Sequence, residues 1–187
     1  MKIKICGLFR ACDIEYVNEV KPDYIGFVFT KSKRQVPLEH AKFLKARLDP
    51  QIKAVGVFMD AELSLIEEVL REGIIDIVQL HGSETEDYIE SIDAPVIKAM
   101  RIGDPIPQNA DYLLFDGQEA GSGTPFDWSL LPHTDKPFFL AGGITLENLP
   151  YAMQLQPFGI DVSSGVETDG LKDRDKIEKI VRSVRNV

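Results

Sequence analysis

The chain is short of the residues that most often mark a special environment. It holds two cysteines, one tryptophan and three histidines in 187 residues, and no stretch approaches the roughly 20 apolar residues that a bilayer-spanning helix needs. Cys6 and Cys12 lie close together, one in a strand-like run and the other in a helix-like run. They read as free thiols rather than as part of a secreted disulfide scaffold. His40, His81 and His133 are scattered, with no ligand-spaced cysteine to join them, so no metal is expected. Basic charge is also short: 21 Lys and Arg against 30 Asp and Glu leave a net charge of −9, which repels nucleic-acid phosphates and anionic membranes. No N-terminal segment joins a basic stretch to a long apolar run, and no linker, internal repeat or low-complexity tract divides the chain. The expectation is one compact domain over residues 1–187, soluble and cytoplasmic, with neither nucleic acid nor membrane among its partners.

What is present, 44% hydrophobic and 27% charged residues, suffices for one sizeable core. Eight short runs rich in Ile, Val or aromatics predict strands at Lys2 to Cys6, Asp23 to Phe29, Ile52 to Phe58, Ile74 to Leu80, Val96 to Met100, Tyr112 to Phe115, Phe138 to Ala141 and Phe158 to Val162. Helical spacing separates them. Ile177, Ile180, Val181 and Val184 make one stripe on a helix from about Lys172 to Arg185, and Ala41, Leu44 and Leu48 make another face. Leu63, Ile66, Val69 and Leu70 follow Asp60 as a predicted N-cap, and Ser83 with Glu86 has capping-box spacing ahead of Tyr88, Ile89 and Ile92. Strand–helix alternation repeated eight times predicts an α/β fold, a (β/α)8 TIM barrel with its site at the C-terminal strand ends. Pro105 and Pro107 break the stretch from Ile102 to Ala110, so the barrel is a trimmed one with a reduced or missing fifth helix. The region from Gly117 to Pro137 reads as loop with one turn around Phe126 to Leu131. A doubly wound open sheet is the alternative.

Polar and reactive residues stand where these strands end. The first ends in Lys4-Ile5-Cys6-Gly7, the second is followed by Ser32-Lys33-Arg34, and the fourth ends in Gln79-Leu80-His81-Gly82. The sixth ends in Phe115-Asp116 before Gly121-Ser122-Gly123-Thr124, the seventh in Leu140-Ala141-Gly142-Gly143, and the eighth runs from Asp161 through Ser163-Ser164-Gly165-Val166 to Glu167. In that order and on those strands, the set resembles the phosphoribosylanthranilate isomerases of tryptophan biosynthesis, from Lys4 to the final helix. Phe9, where a threonine is common, and Lys33, where a proline is usual, depart from that pattern.

The resemblance implies an Amadori rearrangement, an intramolecular redox change made by proton transfers alone. N-(5-phosphoribosyl)anthranilate becomes 1-(2-carboxyphenylamino)-1-deoxyribulose 5-phosphate. No cofactor is implied, and the partner is a small phosphorylated substrate, with the chain a monomer or homodimer. Cys6 matches the general base and Asp116 the general acid. A thiol of pKa about 8.5 serves best if nearby donors or positive charge lower it, and an aspartic acid of pKa about 3.9 must be raised to hold its proton. Arg34 matches a clamp for the anthranilate carboxylate, since a guanidinium binds carboxylates bidentately. His81 and Asp161 point toward the substrate, while Gly142, Gly143, Ser164 and Gly165 present backbone N–H groups to a phosphate. Trp128, beside Phe126 and Asp127, reads as packing under the sixth loop, and Cys12 as helix packing.

Each of these residues also has a plain structural use: Cys6 as a core thiol, Asp116 as a loop cap, Arg34 as one of a solvated basic run, Gly142-Gly143 as a tight turn. Three rivals follow. The sister isomerase of histidine biosynthesis uses an aspartate where Cys6 stands and a substrate with two phosphates. Phosphosugar epimerases gather metal ligands. An idle binding module needs only the phosphate corner.

Overall fold

A computed structural model of the chain describes residues 1–117 and 128–185. Eight parallel strands close into a ring in chain order: β1 (Lys2–Cys6), β2 (Tyr24–Val28), β3 (Lys53–Phe58), β4 (Ile77–Leu80), β5 (Val96–Met100), β6 (Tyr112–Phe115), β7 (Phe138–Leu140) and β8 (Gly159–Val162). The ring is sealed where β8 returns to β1, with Lys4 opposite Asp161 and Ile5 opposite Val162. Closure removes every exposed edge, so the open sheet gives way to the (β/α)8 barrel. A small antiparallel pair, β9 (Glu167–Thr168) and β10 (Leu171–Lys172), follows β8.

Helices α1 (Ala11–Val20), α2 (Leu38–Lys45), α3 (Leu63–Arg71), α4 (Glu86–Glu90), α5 (Leu149–Gln154) and α6 (Arg174–Arg185) cover the outside. No helix joins β5 to β6, as Pro105 and Pro107 foretell. Between β6 and β7 the described residues hold one turn of 3-10 helix, Trp128–Leu130. Phe126, Asp127 and the run Gly121 to Thr124 lie outside the described residues.

All eight predicted runs contain a strand, and the largest trim is at β4. Ile74 belongs instead to the end of α3, where Gly73 takes φ +66° and the Ile74 N–H reaches back to the Val69 carbonyl. That is a Schellman closure, which only a residue at ease in the left-handed region makes cheaply. Two predicted caps are corrected. Asp60 does not cap α3, since it has φ +47° and its carboxylate accepts from the Ser83 N–H and hydroxyl. Ser83 is thereby unavailable to α4, which Thr85 caps by accepting from the Tyr88 N–H. The last helix also starts later than predicted, because Asp173 accepts from the N–H groups of Asp175 and Lys176 and so caps α6 at Arg174. Its Ile177, Ile180, Val181 and Val184 are buried, each stabilising the fold by about 1.5–3 kcal/mol.

Two apolar layers result. The larger lies between barrel and helices. The smaller fills the barrel itself with Val55, Ile77, Ile97, Leu114 and Phe139. At the N-terminal end Tyr24, Tyr112 and Phe158 set their ring centroids 5.5, 5.9 and 5.3 Å from that of Phe139 and plug the opening. Side chains alternate along a strand, so the next inward positions toward the other end include Gln79, His81 and Asp116. On β1 and β8 the same alternation turns Lys4, Cys6, Asp161 and Ser163 to the inside.

Candidate active site

The C-terminal end of the barrel interior is built around charge. Lys4 is fully buried and its Nζ donates to Asp161 Oδ2 at 2.9 Å. Burial works against the Lys4 ammonium, but Asp161 and Cys6 together more than offset it and the lysine pKa is raised. Among the described residues Asp161 Oδ1, which is buried, has no hydrogen-bond partner. Two residues further along β1, Cys6 is buried beside Gly26, where a Cβ would come within 2.7 Å of the sulfur. Gly26 therefore makes the room the thiol occupies. Burial pushes the Cys6 thiol up, Lys4 and Lys172 pull it back only in part, and the net direction is upward. Desolvation of the thiolate outweighs the nearby positive charge.

Arg34 sits beside this group in a fork with Glu167, Nε to Oε1 at 2.7 Å and Nη2 to Oε2 at 2.8 Å. Lys172 donates to the same carboxylate at 2.6 Å and to the Ser163 carbonyl at 2.9 Å. Burial alone would raise Glu167, yet these two cations hold its carboxyl below the usual range. The Ser163 hydroxyl in turn donates to the Cys6 carbonyl at 3.1 Å. Arg34 is thus not part of a solvated run: it is fixed over the mouth by a carboxylate far along the chain.

Across the mouth, His81 Nε2 lies 3.6 Å from Asp116 Oδ2, and Asp116 Oδ1 accepts from the Gly117 N–H at 2.8 Å. Burial lowers the His81 pKa against the pull of Asp116, favouring the neutral ring. Asp161 raises its pKa and Lys4 and Lys98 lower it further, all three by charge alone. A cavity of about 650 Å³ opens here, lined by His81, Lys98, Met100, Ile106 and Asp116 among others. Cys6 and Arg34 stand outside its lining, on the β1–β2 side. Lys98 donates to Glu84 Oε2 at 2.7 Å and to the Gly82 carbonyl, pinning the loop after β4.

The loops after β7 and β8 meet. Gly142 and Gly143 take φ +80° and +63°, and Gly165, in the single 3-10 turn Ser164–Val166, lies so close to Ile144 that a Cβ would fall 1.8 Å from its carbonyl oxygen. Asn148 bonds the Gly143 carbonyl and the Thr145 N–H, at 2.9 and 2.8 Å, and so holds the first loop's shape. Among the described residues no cluster of His, Cys, Asp and Glu has the arrangement of a metal site, and no helix is long and apolar enough to cross a membrane.

All nine residues singled out from the sequence therefore stand at this end of the barrel, with Cys6, Arg34 and Asp161 on one side, His81 and Asp116 on the other, and the glycine corner between β7 and β8. Sequence reasoning assigned no role to Lys4, Gly26, Lys98, Glu167 or Lys172. One signal was available for the first. A lysine two positions before Cys6 in a strand buried on both faces must share the thiol's side and must find an anion. Cys12 lies part-exposed on α1, and Trp128 packs against the core as expected, its buried Nε1 having no partner among the described residues.

Comparison with known proteins adds the following. Residues 3–183 match the family model described as N-(5'phosphoribosyl)anthranilate (PRA) isomerase. A curated N-(5'-phosphoribosyl)anthranilate isomerase of Endomicrobium trichonymphae is 44% identical, the match covering 100% of this chain and 99% of that protein. The crystal structure of phosphoribosyl anthranilate isomerase from Thermus thermophilus superposes with a TM-score of 0.90 at 31% identity, over 100% of this chain and 99% of that one. A second solved isomerase, in complex with reduced 1-(o-carboxyphenylamino)-1-deoxyribulose 5-phosphate, gives 0.85 at 33% identity with both chains fully covered.

Proposed function

The chain belongs to the N-(5'-phosphoribosyl)anthranilate isomerase family of tryptophan biosynthesis, and from that premise we propose that Cys6 and Asp116 are the general base and general acid of its Amadori rearrangement. Asp116 gives its proton to the ribose ring oxygen as the C1–O bond breaks, and the lone pair of the anthranilate nitrogen closes onto C1 as an iminium. Cys6 as thiolate takes the proton from C2, so the C2–H electrons form an enolamine. Return of a proton to C1 and loss of one from the C2 hydroxyl then yield the aminoketose. Protons are moved and none is gained, which fits two carriers facing one another.

The supporting observation is that both groups stand at the C-terminal end of one closed ring: Cys6 ends β1 next to the buried Lys4–Asp161 pair, and Asp116 follows β6 with its Oδ2 3.6 Å from His81 Nε2. An eight-stranded barrel is only wide enough for its side chains, so a small molecule seated there touches both walls. Around the pair, the phosphate rests on backbone N–H groups of the corner formed by Gly142, Gly143, Ser164 and Gly165. Arg34, held by Glu167, keeps further N–H groups for the anthranilate carboxylate. Asp161 Oδ1, buried and without a partner among the described residues, accepts from a sugar hydroxyl, and His81 borders the ring oxygen beside Asp116.

The test is a coupled assay with phosphoribosylanthranilate, run against the two-phosphate substrate of histidine biosynthesis as control. Cys6→Ser is expected to lower kcat about a hundredfold or more with KM little changed. Near-normal turnover in that variant removes Cys6 as the base, and equal turnover of the control substrate removes the single-substrate reading.

A further inference from the structure

We propose that Lys4 is a positioning residue for Cys6: its ammonium, held by Asp161 inside the barrel, is the fixed counter-charge against which the ionised sulfur forms. This rests on Cys6 being the base. An ammonium has no business in the sealed interior of a barrel unless something there needs its charge, because removing it from water costs several kcal/mol. Lys4 is fully buried, and its Nζ donates to Asp161 Oδ2 at 2.9 Å. Strand alternation stacks it on the inner wall one layer below Cys6, where its charge favours the ionised sulfur.

The other charged groups facing the thiol come from three elements, and each is engaged elsewhere. Asp161 on β8 opposes ionisation, but less than Lys4 favours it. Lys172 on β10 favours it, yet shares Glu167 at 2.6 Å and is itself lowered by burial. Arg34 after β2 is forked onto the same Glu167. Lys4 is therefore the cation placed to carry the thiolate. Its own pKa is raised, so it stays an ammonium through the working range and acts as a charge, not as a second base.

The rival use of Lys4 is plain closure, as an ion pair across the β1–β8 seam, and the two uses differ in what they do to the sulfur. In a Cys12→Ala chain, which leaves Cys6 as the one thiol, the rate of alkylation by iodoacetamide is followed against pH by mass spectrometry. Lys4→Gln, neutral but still a donor to Asp161, is expected to move the midpoint up by about one unit or more, which is about tenfold slower alkylation at pH 7. Lys4→Arg keeps the charge and restores most of the shift. The acid limb of kcat/KM moves upward with the alkylation midpoint in Lys4→Gln.

An unmoved midpoint in folded Lys4→Gln overturns the inference and leaves the seam pair. If that variant does not fold, Lys4→Met/Asp161→Leu replaces the pair by apolar bulk, a change that buried pairs often tolerate. A smaller upward shift is then expected, and no shift or a downward one overturns the inference. The two proposals fail separately. A midpoint that moves while Cys6→Ser stays active removes Cys6 as base but keeps its coupling to Lys4, whereas an unmoved midpoint beside an inactive Cys6→Ser removes only Lys4.

Discussion

The two ends of the barrel interior are built from opposite materials. At the N-terminal end, three aromatic rings close around Phe139, and the layer above them is aliphatic. At the C-terminal end stand a buried Lys4–Asp161 pair, a buried thiol and a histidine against a carboxylate. Among the described residues, two buried side-chain oxygens lack partners at this end, Gln79 Oε1 and Asp161 Oδ1. An orphaned buried polar atom costs about 1–3 kcal/mol. The apolar end thus supplies stability that the polar end gives up, and the polar end can keep proton carriers in a low-dielectric setting because the other end holds the ring closed.

Substitutions at the two ends should consequently separate stability from turnover. The largest effect is expected at the plug: Phe139→Ala leaves a cavity among three rings and should cost about 3–5 kcal/mol in urea unfolding, while the folded fraction keeps its KM. A loss under about 1 kcal/mol there would mean that the plug does not bear the stability assigned to it. Next comes Asp116→Asn, expected to lower kcat about a hundredfold, equivalent to about 2.7 kcal/mol, with the melting temperature unchanged. A variant that turns over normally removes Asp116 as the acid; one that unfolds blurs the division between the ends. The smallest effect belongs to Arg34→Ala, which should raise KM about tenfold, or about 1.4 kcal/mol, with kcat nearly preserved. An unchanged KM would return this arginine to an architectural partner of Glu167.

How much of this could be read in advance depends on the range of the interaction involved. Strand positions were legible because hydrophobic runs bounded by Gly, Pro and Asp are local patterns, and the missing fifth helix because Pro105 and Pro107 act on their own backbone. The caps failed for the converse reason. Asp60 and Ser83 each suit a helix start, but they prefer one another, with the Ser83 N–H 2.7 Å from Asp60 Oδ1, a contact between two loops that neither segment reveals. Arg34 resembled one of several exposed basic residues until Glu167, 133 positions away, came into its fork.

Local order of side chains along the chain was enough to determine an eightfold strand–helix alternation and to line up a thiol, an aspartate and two glycine turns at strand ends. It also determined the family, since that ordered set of strand-end motifs is itself a property of the chain. What awaited folding was the proton chemistry. Closure of β8 against β1 joins Lys4 to Asp161 over 157 positions and takes Cys6 out of water, so that its affinity for a proton rises instead of falling. Desolvation and charge pairing depend on which distant groups become neighbours, and only the closed ring sets that.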